Sequence, residues 1–125
     1  MAWLLLACTT PAFAGGYACT PTAKLSCHDG HCRYEPAGSF EHAGSFSYDS
    51  DTTLLGACLW TACYEGRATT LDAADGIVAA TTLRSEAGGR MRLTLAIGSD
   101  LRFTAVWDVA GSGATLDMGR CDTLP

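Results

Sequence analysis

From about residue 40 onward, apolar and polar positions alternate in short runs, which is the period-2 signature of strands with one buried face. The pattern is clearest where Met91, Leu93, Leu95 and Ile97 share one parity, with Arg90, Arg92 and Thr94 on the other. Gly98-Ser99-Asp100 then reads as a turn, after which Leu101, Phe103, Ala105, Trp107 and Val109 share a parity opposite Arg102, Thr104 and Asp108. The two runs predict a β-hairpin with Trp107 in the core. Weaker alternation predicts strands at 76–83, following the turn residues Asp72 to Gly76, and at 114–121, following Gly111-Ser112-Gly113. Ser85 to Gly89 reads as a turn. Phe40, Phe46 and Tyr48 share parity across two copies of Ala-Gly-Ser-Phe at 37–40 and 43–46, a repeat too short to be a structural unit. Asp49 to Thr52 supplies the next turn, and 53–59 and 64–71 complete the set.

Helical periodicity is absent from this region. Strand runs that follow one another closely, joined by tight turns, predict an all-β antiparallel meander that closes into a small barrel, a two-layer β-sandwich being the alternative. The inward side chains of a narrow eight-stranded barrel fill it without any ligand.

Composition narrows the function classes. The chain has 125 residues, 48% hydrophobic and 17% charged, which suits one folded domain and not a disordered segment. Thirteen acidic against eight basic side chains give a net charge of −5, which removes the usual electrostatic basis for binding nucleic acid.

The amino terminus predicts export. Residues 1–14 carry no charged side chain, run apolar from Ala2 to Cys8 and finish Ala12-Phe13-Ala14, the Ala-x-Ala end of a secretory signal. The expected division is therefore a signal peptide at 1–14 and a single β domain at 15–125, periplasmic or secreted. A competing reading takes Leu5-Leu6-Ala7-Cys8 as a lipobox, with Cys8 acylated and the protein anchored to a membrane. No run reaches the roughly 20 apolar residues of a spanning helix, so no transmembrane span is expected.

Either reading takes Cys8 out of the oxidisable pool and leaves Cys19, Cys27, Cys32, Cys58, Cys63 and Cys121, an even set suited to three disulfides in an oxidising compartment. Of the fifteen pairings open to six cysteines, Cys27–Cys32, Cys58–Cys63 and Cys19–Cys121 are favoured: two short bridges set hairpins, and the long one clamps the first strand to the last.

Cys27-His28-Asp29-Gly30-His31-Cys32 is the densest chemical cluster and invites a zinc reading, as does a four-thiolate set drawn from both Cys-x4-Cys pairs. Adjacent Cys27 and His28 would struggle to reach one ion, whereas Asp29-Gly30 is a standard turn pair. A disulfide-closed hairpin with solvated histidines is the better reading, and no metal or cofactor is expected. His42, beside Glu41, could be a buried base but reads more simply as a strand histidine. Asp49 and Asp51 could pair on calcium, yet no distal glutamate follows at EF-hand spacing. Trp60 and Tyr64, flanking the second cysteine pair, are the residues expected to touch a partner if they do not pack over the barrel end.

Tyr17-x-Cys19, Cys27-x4-Cys32, Cys58-x4-Cys63 and the closing Gly119-Arg120-Cys121, behind a signal peptide, together resemble a group of small, exported, mostly-β bacterial proteins of unknown function. The resemblance implies a fold and no activity, so it assigns no catalytic residue. Small periplasmic lysozyme inhibitors look similar in size, export and barrel-like architecture. The sequence holds no nucleophile, orienting base and oxyanion donor at recognisable spacing, so the expected function is a binding module or inhibitor of an envelope or extracellular partner, not an enzyme. The alternatives are a structural envelope (lipo)protein and a metal-binding or hydrolytic protein using the His28/His31 loop, with Asp29 or Glu41 orienting an imidazole.

Overall fold

The computed structural model describes residues 15–36, 44–59, 62–109 and 113–124. The expected signal with Cys8, the first Ala-Gly-Ser-Phe copy with Phe40, the Glu41-His42 pair, Trp60 and the Gly111-Ser112 turn lie outside these residues. Among those described there is no helix, and ten strands run in the order β1 (Gly16–His28), β2 (His31–Pro36), β3 (Ser45–Asp49), β4 (Leu54–Cys58), β5 (Cys63–Arg67), β6 (Thr69–Ala73), β7 (Gly76–Ser85), β8 (Arg90–Gly98), β9 (Arg102–Asp108) and β10 (Ala114–Leu124).

Every pairing is antiparallel, and the path β10-β9-β8-β7-β5-β4-β3-β1 is closed by β1 pairing with β10. The architecture is thus a closed eight-stranded barrel, not a sandwich, with β2 and β6 as two outer strands. Strand β1 serves two neighbours along one edge: Gly16 to Cys19 pair with β3, and Ala23 to His28 pair with β2. The single strand expected at 64–71 is interrupted at Ala68, but Tyr64 faces Ser85 and Thr69 faces Ala80, so β5 and β6 keep one register on β7. The hairpin of β8 and β9 forms as its alternation requires. Its turn includes Leu101, which adopts φ 69° and donates its N–H to the Gly98 carbonyl at 2.9 Å, while Asp100 Oδ1 accepts from the Arg102 N–H at 3.0 Å. Leu101 therefore leaves the strand that parity assigned it, although its side chain still packs against the core.

One parity from each barrel strand fills the interior: Met91, Leu93, Leu95 and Ile97 from β8, Phe103, Ala105 and Trp107 from β9, Phe46 and Tyr48 from β3. Phe46 and Phe103 meet in the centre with ring centroids 5.8 Å apart, a tilted aromatic pair. Tyr17 faces Tyr48 across β1 and β3, and the Tyr48 hydroxyl shares a 2.5 Å hydrogen bond with Thr70 Oγ1. Burial pushes the Tyr17 phenol above its ordinary pKa, and the nearby Tyr48 adds to the rise.

The structure joins Cys19 to Cys121, Cys27 to Cys32 and Cys58 to Cys63, the pairing favoured from sequence. Each bridge spans two residues that face one another directly across neighbouring strands. The first is buried in the core, and the other two staple hairpins at the same end of the barrel.

A bulge between Pro21 and Ala23 switches the parity of β1. Tyr17 and Cys19 point inward before it, and Lys24 points inward after it. Opposite the bulge, Gly119 has no room for a side chain: a Cβ there would run into the Thr20 carbonyl oxygen and lie 2.9 Å from both Pro21 Cα and Phe103 Cε1. Gly119→Ala is expected to destabilise the fold by about 2–3 kcal/mol, the upper part of the range for core overpacking because the clash is with backbone, as measured by urea denaturation.

Candidate functional site

Three groups of residues carry chemistry or exposed apolar surface, and the first is the β1–β2 hairpin. Asp29 and Gly30 have φ of 52° and 79°, two consecutive left-handed residues that make the tight turn their sequence calls for. Cys27 faces Cys32 and His28 faces His31; successive cross-strand pairs point to opposite faces, so the imidazoles point away from the bridge. Both thiols are consumed in the disulfide, as are those of the second Cys-x4-Cys pair, so neither zinc set drawn from sequence is assembled. Among the described residues no three His, Cys, Asp or Glu side chains converge on a metal-sized site. His28 Nε2 lies 3.3 Å from Asp29 Oδ2, with both side chains mostly in solvent. Ser26, His28, His31, Arg33 and Glu35 line one shallow open depression here. Asp49, half of the suggested calcium pair, instead accepts the Asp51 N–H at 2.9 Å in an ordinary turn.

The second group lies inside the barrel and was not anticipated. Lys24 and Asp117, 1% and 0% exposed, face one another across β1 and β10 with Nζ 3.0 Å from Oδ1. Trp107 Nε1–H donates to Asp117 Oδ2 at 2.7 Å, and the Lys24 ammonium sits 5.3 Å from the centroid of the Trp107 ring. The register also places Glu35 of β2 directly opposite Lys24. Carboxylate, ammonium and indole thus hold one another across β9, β10 and β1, satisfying the polar end of a tryptophan that the core requires. They are sealed from solvent, which makes this arrangement a structural lock between the first and last strands and not an open reaction centre.

The third group is on the outer face and emerges only from the register. One row of facing residues crosses seven strands as Thr69, Ala80, Thr94, Val106, Leu116, Leu25 and Tyr34. The adjacent row runs Leu71, Val78, Ala96, Thr104, Met118, Ala23 and Pro36. Neither row contains a charge. Charges stand at the margins, with Arg92 facing Asp108 on one side and Arg102 facing Arg120 on the other. Leu71, Tyr34 and Val106, at 68%, 58% and 42% exposure, are three of the large hydrophobic side chains the fold leaves in solvent, and all three lie on this belt. A shallow depression along it is lined by Thr69, Ala80, Thr82, Thr94 and Val106, with Arg92 at its edge.

Of the two readings open for Tyr64, partner contact and packing, the structure shows packing. Tyr64 is 8% exposed and belongs to the core, its ring lying against Gly89, because β5 turns that parity inward. Compared with protein-family models, curated proteins and solved structures, the chain matches none. No helix among the described residues is long and apolar enough to cross a membrane.

Proposed function

We propose that this chain is an exported, disulfide-stapled binding module of the inhibitor or adaptor type, and that it meets a macromolecular partner through the charge-free outer belt. The observation that carries this reading is the unbroken pair of uncharged rows from β6 to β2, flanked by ionic margins. Contiguous exposed apolar surface rimmed by polar groups is the usual mark of a protein interaction face. Its breadth and shallowness suit a protein surface better than a small molecule, whose sites are concave. Three disulfides support the export part of the reading, being suited to an oxidising compartment.

The test is a binding comparison. The parent and a Val106→Lys variant are used to capture partners from envelope and extracellular extract, and the captured protein is then purified and titrated directly. Val106 faces outward between Thr94 and Leu116, so the lysine leaves the core untouched. A partner that binds the parent and loses at least about tenfold in affinity to the variant supports the belt, a loss within the range of a central interface residue. Equal binding by both overturns it. A hydrolytic activity lost on His28→Ala, with the fold intact, would replace the reading altogether.

A further inference from the structure

The belt ends on β2, and β2 has features that the belt reading does not use. Among the described residues β2 pairs with β1 alone, and five of its six residues are exposed. The two-residue turn at Asp29-Gly30 makes His28 and His31 the closing hydrogen-bonded pair of the hairpin. Alternation from that pair directs the backbone groups of Arg33 and Glu35 toward β1, and those of Cys32 and Tyr34 away from it. The outward edge therefore presents the N–H and C=O of Tyr34 at its middle.

We propose that this edge pairs with the same edge of a second copy of the chain, antiparallel and centred on Tyr34. The sequence of β2 is self-complementary in that register. A two-fold axis at Tyr34 sets Arg33 opposite Glu35 of the other copy, and Glu35 opposite its Arg33, giving two reciprocal ion pairs on one face. Tyr34, 58% exposed at the end of the belt, meets its own counterpart on the other face. The two Tyr34 residues exchange N–H to C=O hydrogen bonds, as the outward direction of those groups requires. Shifting the pairing by one residue places Arg33 opposite Tyr34 and removes both ion pairs, so the charge pattern selects the centred register. Five β2 residues per copy, Cys32 to Pro36, face one another in this register and make a small interface, so the dimer forms reversibly and only at high concentration. The pairing rests on the β2 backbone edge and not on the belt reading; Tyr34 belongs to both surfaces, but Val106→Lys, on β9, tests the belt without touching the β2 edge.

Sedimentation velocity of the full disulfide-bonded chain, over a dilution series from millimolar to micromolar, reads the outcome. The expected result is a mass that rises from one chain to two with concentration. Arg33→Glu, which puts like charges opposite one another twice, weakens association by at least about tenfold. Tyr34→Pro removes the central N–H, which faces away from β1, and leaves the hairpin paired while abolishing the dimer. A readout without substitution accompanies them: in the parent, exchange of the Tyr34 amide hydrogen slows as concentration rises. A parent that stays a single chain throughout overturns the proposal, as does a dimer that both variants form as well as the parent with Tyr34 exchange unchanged.

Discussion

Cys19→Ala with Cys121→Ala, made together, is expected to lower the stability of the fold by about 4–5 kcal/mol, against about 2 kcal/mol for the paired change at Cys27 and Cys32. The difference follows from loop length in the unfolded chain. The first bridge closes a separation of 102 residues and the second a separation of 5, so the first removes far more conformational freedom from the unfolded ensemble. The native state adds to the contrast, because Cys19 and Cys121 are buried in the core whereas Cys32 is exposed. Guanidinium denaturation of the two double variants, compared with the parent, measures both. Equal losses would show that the long bridge acts through something other than the constraint it places on the unfolded chain.

Removing one partner of the interior ion pair is expected to cost nearly as much. Lys24→Met strands the Asp117 carboxylate in a site with no solvent, and a buried charge deprived of its partner destabilises a protein by about 3–5 kcal/mol. Pairing the change with Asp117→Asn neutralises the site while leaving an amide oxygen to accept the Trp107 N–H, so the double variant recovers most of the loss. The coupling between the two positions, read from a double-mutant cycle in urea, is the quantity to measure. Additive losses would mean that Lys24 and Asp117 do not act as a pair.

The strands of the second half were legible because their alternation is nearly unbroken: β8 and β9 bury the parities that hydrophobicity marks. The disulfides were legible from spacing and from the need to tie a first strand to a last. Lys24 was not, since an inward lysine contradicts polarity, the bulge that turns it inward is set by pairing with β10, and its partner lies far along the chain. For Tyr64 the neighbouring hairpin tip leaves contact and packing both open, and strand parity, which is the stronger rule, decides for burial. The outer belt was half visible. Thr94, Ala96, Thr104 and Val106 were already assigned to outer parities or left there by default, yet a belt exists only when separate strands align. Alignment is a property of register, and hydrophobic pattern sets register in the interior without revealing what it brings together outside.

The closure of the barrel by its first and last strands imposes an order on folding. β1, the first of the described strands, cannot complete its pairing until β10, the last of them, has been made and has reached it. Until then the sheet from β1 to β9 is open, with the outer edges of β1 and β9 unprotected, a state prone to association with other chains. The Cys27–Cys32 and Cys58–Cys63 hairpins involve only neighbouring segments and can close while this state lasts. The pairing of β1 with β10 carries the greatest loop-closure cost in the fold and belongs to the slow, non-local part of its assembly. Oxidation of Cys19 with Cys121 then marks the moment at which the sheet ceases to have two ends, and any chain cut short before β10 keeps a first strand that has nothing to finish against.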